Sequence, residues 1–534
     1  MWAKTYPQLK ILNNPPEEVL RDLARAEEIT TRFGAPSYRT RQAASRSAAN
    51  TYLANEKTAS GRFQRTLDVR RTKEIINYVA SQMPGASWIS LDRAIGRNPN
   101  FSFHCRLLIP QAFARVGLMW SKTLFPTQEA KHDPRVEPDF LTVYFPEALD
   151  GMERKDNWPP STLILINPEQ GITFVLGTDY VGEAKMSFLR QALYQTKKKG
   201  GLGLHAGSKI VRVRNGQGVK SCGMLLFGLS GTGKTTLTLD DHGLTPPEGV
   251  TVLQDDIALL TPQGRAFGTE DNFYVKTEGL KAEEQAGLYQ SLINPEAIFE
   301  NVTVDKSGEI RFTDYTNGTN GRALALRRKI PNTGDSIDLE RVDKMIFIAR
   351  RDTIVPPVAR LNRELAAVFF MLGESIETSA GDPTRAGQPK HEVGFNPFII
   401  GPEEIEGNRL YDLLNANPQI EVYLLNTGSV GKGGDAPDAP KEGLKIPKEV
   451  SSKILTFLAR QKTSGGAGWI RDPDWGYEIP ERIPDIPGWE NFDPRKYYTN
   501  ATYGRLVTQL KAERQAWLAQ FPGLKSAIRS ALPG

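Results

Sequence analysis

The sequence is organised around the stretch Met224-Leu225-Leu226-Phe227-Gly228-Leu229-Ser230-Gly231-Thr232-Gly233-Lys234-Thr235-Thr236. Its apolar beginning, residues 224–227, predicts a short buried strand. This strand leads directly into the spacing G-x-x-x-x-G-K-T, which is typical of a loop that cradles the phosphates of a nucleotide. A second apolar run, residues 250–254, ends in Asp255 and Asp256. Phosphate-handling sites place a metal-binding carboxylate at such a strand end, so the whole pattern predicts a nucleotide site.

The chemistry of phosphate and metal binding explains the residue types in this loop. Glycine lets the backbone curl so that its N–H groups point at anionic oxygens. Lys234 can reach the β- and γ-phosphates, and the Thr235 hydroxyl can hold Mg²⁺. The predicted nucleotide-binding residues are Gly228, Ser230, Gly231, Thr232, Gly233, Lys234, Thr235 and Thr236.

Composition describes an ordinary soluble protein. A chain of 534 residues is long enough for two or more domains and a large core. The net charge of +5 on 67 basic and 62 acidic residues gives no case for a nucleic-acid surface, whereas anionic small molecules fit as partners. Cys105 and Cys222 form no C-x-x-C pair, so neither a disulfide framework nor a zinc site is indicated. No signal peptide or membrane span is visible, and we expect a cytoplasmic protein.

Strand patterns place the loop in a mixed architecture. Four β-like runs, at residues 101–108, 140–144, 161–166 and 172–177, predict a mixed sheet surrounded by helices. Farther on, residues 210–227 alternate as two strands around the turn Asn215-Gly216, which predicts an antiparallel hairpin. The phosphate loop would then hang from a hairpin, and not from the first strand of a parallel βαβ unit. The predicted fold class is α/β with mixed sheets.

Four residues outside the loop each have two interpretations. Arg62 follows Gly61 and suits a loop that forks onto a carboxylate, or it is a solvated loop arginine. His205, in a loop of small residues, can ligate a metal at the phosphates or serve a structural role. Lys276 is either a second cation for the phosphates or an exposed strand lysine. Arg360 follows Pro356-Pro357, which would hold it in a stiff loop beyond a strand end, or it is a surface arginine.

Beyond these motifs, the C-terminal half contains helices and one irregular segment. Residues 364–372, 450–461 and 503–521 predict helices. Residues 428–435 predict a flexible loop, and residues 436–448, rich in proline and lysine, have the composition of a mobile surface segment.

With these residues quoted, the chain resembles the family of ATP-dependent phosphoenolpyruvate carboxykinases. The resemblance covers nearly the whole length, and the wording G-L-S-G-T-G-K-T-T is more specific than a generic phosphate loop. The matching motifs, in order, are Ser60-Gly61-Arg62, Tyr180-Val181-Gly182-Glu183, His205, residues 227–236, Asp255-Asp256, Tyr274-Val275-Lys276-Thr277, Asn301-Val302-Thr303-Val304, residues 356–361 and Asn426-Thr427-Gly428.

The resemblance implies a two-domain carboxykinase architecture and a reaction. An N-terminal substrate-side domain would span residues 1–207, and a C-terminal mononucleotide-binding domain would span residues 208–534, with a possible lid near 428–448. The family decarboxylates oxaloacetate and phosphorylates the resulting enolate with ATP, a step of gluconeogenesis, using Mg²⁺ and Mn²⁺. The implied partners are oxaloacetate and ATP, with no nucleic acid or membrane, in a monomer or small homo-oligomer.

The resemblance also implies roles for single residues. Arg62 would hold the substrate carboxylate, and Tyr180 would line that pocket. Lys234, Lys276 and Arg360 would neutralise the phosphates. His205 and Asp256 would bind the second metal, and Thr235 would bind the Mg²⁺ of the nucleotide.

Three stretches depart from the family pattern. The family has two adjacent lysines after its Gly-Glu, the second being a metal ligand, whereas this chain has Lys185 and then Met186. Because a thioether is a poor ligand for Mn²⁺, either Lys185 takes over as a metal ligand and catalytic residue or the metal site is altered. The Gly-Arg-Ser-Pro-Lys-Asp signature reads 61-Gly-Arg-Phe-Gln-Arg-Thr-66, and the Gly-Lys-Arg stretch reads 431-Gly-Lys-Gly-Gly-Asp-435. Two alternatives therefore stay open: a kinase of another small carboxylic acid on the same scaffold, and a non-catalytic nucleotide-binding relative.

Overall fold

A computed structural model describes residues 9–42, 50–54, 60–99, 101–156, 158–216, 218–317, 320–377, 387–461 and 468–533. The chain forms two compact units, and each unit is made of two segments. The first unit comprises Met1–Gln195 and Thr269–Thr333, and the second comprises Thr196–Gly268 and Gly334–Gly534. The sequence predicts one domain boundary after residue 207, and that boundary stays a prediction. Each of the two compact units combines two separate segments of the chain.

The described residues form thirty strands and eleven α-helices. The strands are β1 (Lys10–Asn13), β2 (Ile29–Thr30), β3 (Pro36–Tyr38), β4 (Thr51–Leu53), β5 (Arg65–Thr66), β6 (Ser87–Ile95), β7 (Phe103–Pro110), β8 (Phe140–Phe145), β9 (Leu163–Asn167), β10 (Ile172–Leu176), β11 (Leu202–Leu204), β12 (Ala206–Arg214), β13 (Val219–Gly228), β14 (Gly249–Gln254), β15 (Ala258–Leu260), β16 (Ala266–Gly268), β17 (Phe273–Lys276), β18 (Ile298–Glu300), β19 (Thr303–Val304), β20 (Ile310–Arg311), β21 (Arg322–Ala325), β22 (Lys344–Ala349), β23 (Val358–Leu361), β24 (Glu374–Ile376), β25 (Pro389–His391), β26 (Glu421–Asn426), β27 (Ser429–Val430), β28 (Leu444–Lys445), β29 (Trp469–Arg471) and β30 (Glu478–Pro480). The helices are α1 (Glu17–Leu23), α2 (Val69–Gln82), α3 (Ala114–Thr123), α4 (Val181–Lys198), α5 (Lys234–Leu239), α6 (Ala286–Leu292), α7 (Arg363–Leu372), α8 (Glu404–Ala416), α9 (Lys448–Arg460), α10 (Asn500–Leu518) and α11 (Ser526–Arg529).

The first unit contains an eight-stranded mixed sheet in the order β1-β6-β7-β8-β10-β9-β4-β5. Its central strands contain the apolar runs expected from the sequence, and residues such as Leu108, Val143 and Leu165 are buried in its core. A five-stranded sheet, β17-β21-β18-β3-β2, belongs to the same unit. Tyr180 lies just before helix α4, and Lys276 is the last residue of strand β17.

The second unit is built on an eight-stranded sheet in the order β14-β12-β13-β22-β26-β23-β30-β29. Strands β13, β22 and β26 run parallel, whereas β12, β14 and β23 run antiparallel to their neighbours. Helix α7 is buried along most of its length, from Leu365 to Leu372. It starts at Asn362, whose side chain accepts a hydrogen bond from the Leu365 amide, and ends at Gly373 in the left-handed region. The predicted α/β class with mixed sheets is confirmed.

The hairpin predicted on either side of the turn at Asn215 is also present. Strands β12 and β13 pair antiparallel, with Ala206 opposite Phe227 and Arg214 opposite Val219. Strand β13 pairs on its other side with β22, in parallel. The glycine-rich loop leaves the sheet at the end of β13, so it follows a strand with one antiparallel and one parallel neighbour.

The segment proposed as a lid, residues 428–448, has a regular structure. Strands β27 and β28 pair within it, and the Gly433 amide donates to the carbonyl oxygen of Lys441 at 2.7 Å. The carboxylate of Asp435 accepts hydrogen bonds from the Thr499 amide (2.8 Å) and the Thr502 hydroxyl (2.7 Å) at the start of α10. These contacts tie the segment to the second unit, and movement as a lid stays a prediction.

Candidate nucleotide and substrate sites

The glycine-rich loop between β13 and α5 has the backbone that its sequence predicts. Gly231 and Gly233 have φ of 82° and 94°, a region that other residue types rarely adopt. A Cβ atom on Gly228 would lie only 2.5 Å from the Thr232 hydroxyl, so the close turn also needs glycine there. The Thr232 hydroxyl in turn donates to the Leu229 carbonyl at 2.8 Å. Helix α5 begins at Lys234, directly after the loop.

Lys234 and Thr235 face the pair of carboxylates at the end of β14. The Lys234 ammonium donates to the Asp255 carbonyl oxygen at 2.8 Å and lies 3.4 Å from Asp256 Oδ1. The Thr235 hydroxyl donates to Asp255 Oδ2 at 3.0 Å. The structure thus brings the lysine, the threonine and the acid pair together within the second unit. A cation, a hydroxyl and two carboxylates at one loop are the components of a site for a nucleotide and Mg²⁺.

His205 joins this group from the chain just before β12. Its Nδ1 lies 2.8 Å from the carbonyl oxygen of Phe395, and its Nε2 lies 3.0 Å from Asp256 Oδ1. A carbonyl oxygen only accepts, so Nδ1 carries the proton and directs the lone pair of Nε2 at the carboxylate. Burial, together with the nearby charge of Lys234, holds the pKa of His205 below its ordinary value.

The residues present fit a divalent cation at this point. A neutral imidazole nitrogen and a carboxylate oxygen that face each other repel unless a cation lies between them. Adjacent ligands of an octahedral ion with bonds of about 2.1 Å lie roughly 3 Å apart, which matches the His205–Asp256 separation. Across the described ranges, no group of three or more His, Cys, Asp and Glu side chains is arranged to hold a metal. A metal held by His205 and Asp256 would complete its shell with ligands of other kinds.

Arg360 is not in the stiff loop that the sequence suggested, and that prediction is wrong. The two prolines precede strand β23, which starts at Val358 and pairs antiparallel with β26, so Arg360 lies inside a strand. Its Nε and Nη2 contact Glu478 Oε2 at 2.7 and 2.6 Å, and its guanidinium lies 4.8 Å from the centre of the Trp469 ring. Pairing with β30, which places Glu478 opposite Arg360, could not be inferred from the local sequence.

In the first unit, Tyr180 lies beside an arginine that the sequence reading did not single out. The Nε of Arg322 donates to the Tyr180 hydroxyl at 2.9 Å. Arg322 begins strand β21, directly opposite Lys276 on β17, and its guanidinium lies 6.0 Å from the Tyr274 ring. No recognised motif surrounds Arg322 in the sequence, and only the strand pairing reveals it.

Lys185 lies on α4 in an ion pair. Its ammonium is 2.9 Å from Glu270 Oε1, and both side chains are almost fully buried. The ammonium also lies 5.7 Å from the centre of the Tyr274 ring. To ligate a metal, Lys185 would have to leave this contact with Glu270 and present the lone pair of a neutral amine. This pairing argues against the idea that Lys185 replaces the ligand missing at Met186, which is itself buried.

The two remaining predicted residues have simpler surroundings. Arg62 is exposed in a turn that follows Ser60. Lys276, at the end of β17, forms an ion pair with Glu278 and keeps 31% of its side chain exposed. The predicted site residues divide between the two units. The first unit contains Arg62, Tyr180, Lys185 and Lys276, and the second contains His205, Lys234, Thr235, Asp256 and Arg360.

No helix in the described ranges is long and apolar enough to span a membrane.

Comparison with known proteins identifies the family of this chain. A family model described as phosphoenolpyruvate carboxykinase matches residues 9–488. A phosphoenolpyruvate carboxykinase (ATP) of Aeropyrum pernix is 36% identical over 443 residues, which is 82% of this chain and 82% of that protein. Proteins of the same name from Geobacter sp. strain M21 and Staphylococcus aureus strain MRSA252 are 25% and 26% identical, over 93% and 72% of this chain and 90% and 69% of their own lengths. The family model covers most of the chain, and the relative from Aeropyrum pernix is 36% identical over 82% of it. The chain therefore belongs to the phosphoenolpyruvate carboxykinase family.

Proposed function

We propose that this protein is an ATP-dependent phosphoenolpyruvate carboxykinase, which converts oxaloacetate and ATP into phosphoenolpyruvate, CO₂ and ADP. The C–C bond to the departing carboxylate breaks, and its electron pair forms the enolate of pyruvate. The enolate oxygen then attacks the γ-phosphorus of ATP, and the bond from that phosphorus to the bridging oxygen of ADP breaks. The observation that carries this proposal is the group formed by the loop, Lys234, Thr235, the acid pair and His205.

The second unit supplies the nucleotide side of the reaction. The loop amides and Lys234 bind the β- and γ-phosphates and stabilise the charge that moves onto ADP. The hydroxyl of Thr235 donates to Asp255 at 3.0 Å, so its oxygen lone pairs would remain for holding the nucleotide's metal. Arg360 is assigned to the phosphates by the resemblance, and its ion pair with Glu478 would have to open for that role.

His205 and Asp256 are the residues that would hold a second divalent ion, and Thr235 would hold the first. When bound, Mg²⁺ at the nucleotide and Mn²⁺ at His205 and Asp256 supply positive charge that stabilises phosphate and enolate oxygens. The hydrogen bond from Nδ1 of His205 to Phe395 keeps Nε2 available for that purpose.

The first unit supplies the substrate side. Arg62 is exposed and can fork onto a carboxylate of oxaloacetate, and Tyr180 is held by Arg322 at 2.9 Å. Lys276 is assigned to the phosphates, in competition with its ion pair to Glu278. Lys185 is the least supported of the predicted metal ligands and catalytic residues, because Glu270 already pairs with its ammonium.

A direct assay tests this proposal. Purified full-length protein is given oxaloacetate, ATP and Mn²⁺, and phosphoenolpyruvate is quantified over time. We expect product formation, and we expect Lys234→Ala to lower kcat/KM by about 100-fold or more, the usual cost of losing a group that stabilises transition-state charge. Lys453→Ala is the matched control, because Lys453 is exposed on α9 and this substitution removes the same charge as Lys234→Ala.

Met186 favours a second candidate function. Without the family's lysine at this position, the scaffold could transfer phosphate from ATP to another small carboxylic acid. Binding and hydrolysis of ATP by the wild type without any phosphoenolpyruvate would support that candidate over the carboxykinase. The variant Met186→Lys, assayed beside the wild type, would then recover product if the missing side chain is the cause. Full activity of Lys234→Ala would contradict both functions.

The wider setting follows from the proposed reaction. We place the protein in gluconeogenesis, in the cytoplasm, as a monomer or small homo-oligomer that binds small molecules. Gel filtration of the purified chain and loss of growth on gluconeogenic carbon sources after gene deletion test these assignments.

A further inference from the structure

Arg350 follows strand β22 at the edge of the sheet from which the phosphate loop leaves. Strand β22 runs parallel to β13, and Ile348 pairs with Gly228, the first residue of the loop motif. Ile348 is therefore level with the start of the loop, and Arg350 lies two residues farther along the chain, just past the end of the neighbouring strand β22. Carboxyl ends of adjacent parallel strands meet at one edge of a sheet, which is where ligands of α/β sheets bind.

The Arg350 side chain reaches the loop itself. Its Nη1 donates to the carbonyl oxygen of Gly231 at 3.2 Å, which is the only hydrogen bond of this side chain to any residue the structure describes. Arg350 forms no ion pair with a carboxylate of those residues, and its side chain is partly exposed. A guanidinium has five N–H donors in a fixed fork, so one contact leaves most of its donors for an anion.

The adjacent arginine shows the opposite arrangement. Arg351 is almost fully buried, and its Nη2 contacts Glu374 at 3.1 Å and Glu513 at 2.6 Å. Two carboxylates thus match the charge of Arg351, whereas the charge of Arg350 is left beside the phosphate loop. On the same loop, Lys234 lies 3.4 Å from Asp256 Oδ1, so Lys234 has a carboxylate partner, whereas Arg350 has none among the described residues.

The segment that carries Arg350 is held in place. The Arg351 amide donates to the Asn426 side chain at 2.9 Å, and the Thr427 amide donates to the Ala349 carbonyl at 3.0 Å. The Thr427 hydroxyl also donates to the Thr232 carbonyl, at 2.8 Å, which links this segment to the loop. A cation on a fixed backbone binds an anion without paying the entropy of ordering a loop.

We propose that Arg350 is a phosphate-binding residue of the nucleotide site, which contacts the phosphate chain of ATP beside Lys234. The proposal rests on the proposed function in taking ATP as the nucleotide. It adds a residue that no motif in the sequence indicated, since Ala349-Arg350-Arg351 reads only as the end of a strand.

Nucleotide binding by the full-length protein, measured by calorimetry without oxaloacetate, tests this role. We expect Arg350→Gln to weaken binding of ATP and ADP roughly tenfold, the loss of one charge-assisted contact, and to leave adenosine binding unchanged. Arg350→Lys, which keeps the charge, should recover a large part of the affinity for ATP. Arg363→Gln is the matched control, because Arg363 is an exposed arginine on α7 whose hydrogen bond goes to Asn415.

The outcomes separate a phosphate contact from a structural one. Unchanged ATP affinity in Arg350→Gln would overturn the proposal, and so would an equal loss for ATP and adenosine, since that pattern means that the contact with Gly231 only braces the loop. The proposed carboxykinase function is judged separately, by phosphoenolpyruvate formation. A wild type that binds ATP through Arg350 but makes no phosphoenolpyruvate would refute the function and leave this inference standing.

Discussion

Lys209 is a fully buried lysine that supports the helix behind the phosphate loop. It lies on β12, and its ammonium donates to the Leu237 carbonyl oxygen at 2.5 Å and lies 3.5 Å from that of Asp240. These carbonyls are at the C-terminal end of α5, where backbone acceptors lack helical partners and a cation is favourable. The other end of α5 begins at Lys234, so Lys209 helps to position the helix that follows the loop.

Burial lowers the pKa of Lys209 to about 7, against 10.5 in the unfolded chain, although the nearby Asp240 and Asp241 act in the opposite direction. Between these two values the unfolded chain binds more protons than the native protein, so this group makes stability rise with pH. We predict that the stability advantage of wild type over Lys209→Met grows from pH 7 to pH 9.5, by at most about 1.4 kcal/mol per pH unit.

Melting temperatures of the two proteins across this pH range check that prediction. His242, whose Nε2 lies 2.6 Å from the Lys209 ammonium, has its pKa lowered to about 4 in the wild type by burial and then by the charge of Lys209. Lys209→Met removes the second cause, but even at its ordinary pKa of 6.5 an imidazole is mostly neutral throughout this window. A difference between wild type and Lys209→Met that stays constant from pH 7 to pH 9.5 would contradict the assigned pKa.

At the residue scale, the sequence predicts what is local. The spacing of Gly228, Gly233, Lys234 and Thr235 is a local pattern, because a phosphate loop is made by consecutive residues. The role of Lys209 depends on a helix end almost thirty positions later, and its neighbours Ile210 and Val211 read as an ordinary strand. Arg350 and Arg322 were missed for the same reason, since both act through strand pairing.

At the scale of elements, helix α10 is attached to the core of the second unit by a buried ion pair. Arg514 contacts Glu374 through Nε at 2.9 Å and Nη2 at 2.5 Å, and both side chains are fully buried. The guanidinium also lies 4.8 Å from the Phe369 ring and 4.4 Å from the Trp475 ring. Despite burial, the charges of Arg514 and Arg351 lower the pKa of Glu374 to about 2.

Removing this arginine should destabilise the unit strongly. We predict that Arg514→Met lowers stability by about 3–5 kcal/mol, because it leaves Glu374 buried without the arginine that contacts both of its carboxylate oxygens. The melting temperature should fall by roughly 10 °C in calorimetry. Arg505→Met, on the exposed side of the same helix, is the control and should change stability by no more than about 0.5 kcal/mol. Equal effects of the two substitutions would show that the buried pair contributes nothing specific.

Element predictions succeeded where a pattern and a turn signal agreed. The hairpin of β12 and β13 has alternating apolar residues on both sides of Asn215-Gly216, and its register confirms the prediction. The prediction for the segment around Arg360 was wrong because its two prolines suggested a loop. Proline can also occupy the position directly before a strand, as it does here. The bulk of residues 428–448 reads as mobile by composition, yet Asp435 fixes it to the first turn of α10.

At the scale of the whole molecule, the chain forms two units, and each of them combines two segments that are separate in the sequence. Residues 269–333 belong with the N-terminal part of the chain, while residues 196–268 belong with the C-terminal part. A single boundary is the simplest expectation from a linear sequence, because linkers are sought in one place. Here strand β18 pairs with β3, whose partner residues are separated by almost half the chain, and no local signal indicates that pairing.

This division makes the effect of ATP on unfolding informative. All residues assigned to the loop, the acid pair and His205 lie in the second unit, so ATP bound there stabilises that unit by mass action. At a free concentration 100 times the Kd, the gain is about 2.7 kcal/mol. We predict that ATP with Mg²⁺ raises the melting temperature in calorimetry of the full chain, and that Lys234→Ala removes most of this shift.

Adenosine and the chelator EDTA complete the design. Adenosine lacks the phosphates that the loop binds, so it should give a much smaller shift than ATP at the same concentration. EDTA should reduce the ATP shift if Thr235 holds the nucleotide's metal, since a fully anionic triphosphate then faces Asp255 and Asp256 without a cation between them. An ATP shift that survives in Lys234→Ala at full size would place nucleotide binding outside this loop, and the assignment of the second unit would fail with it.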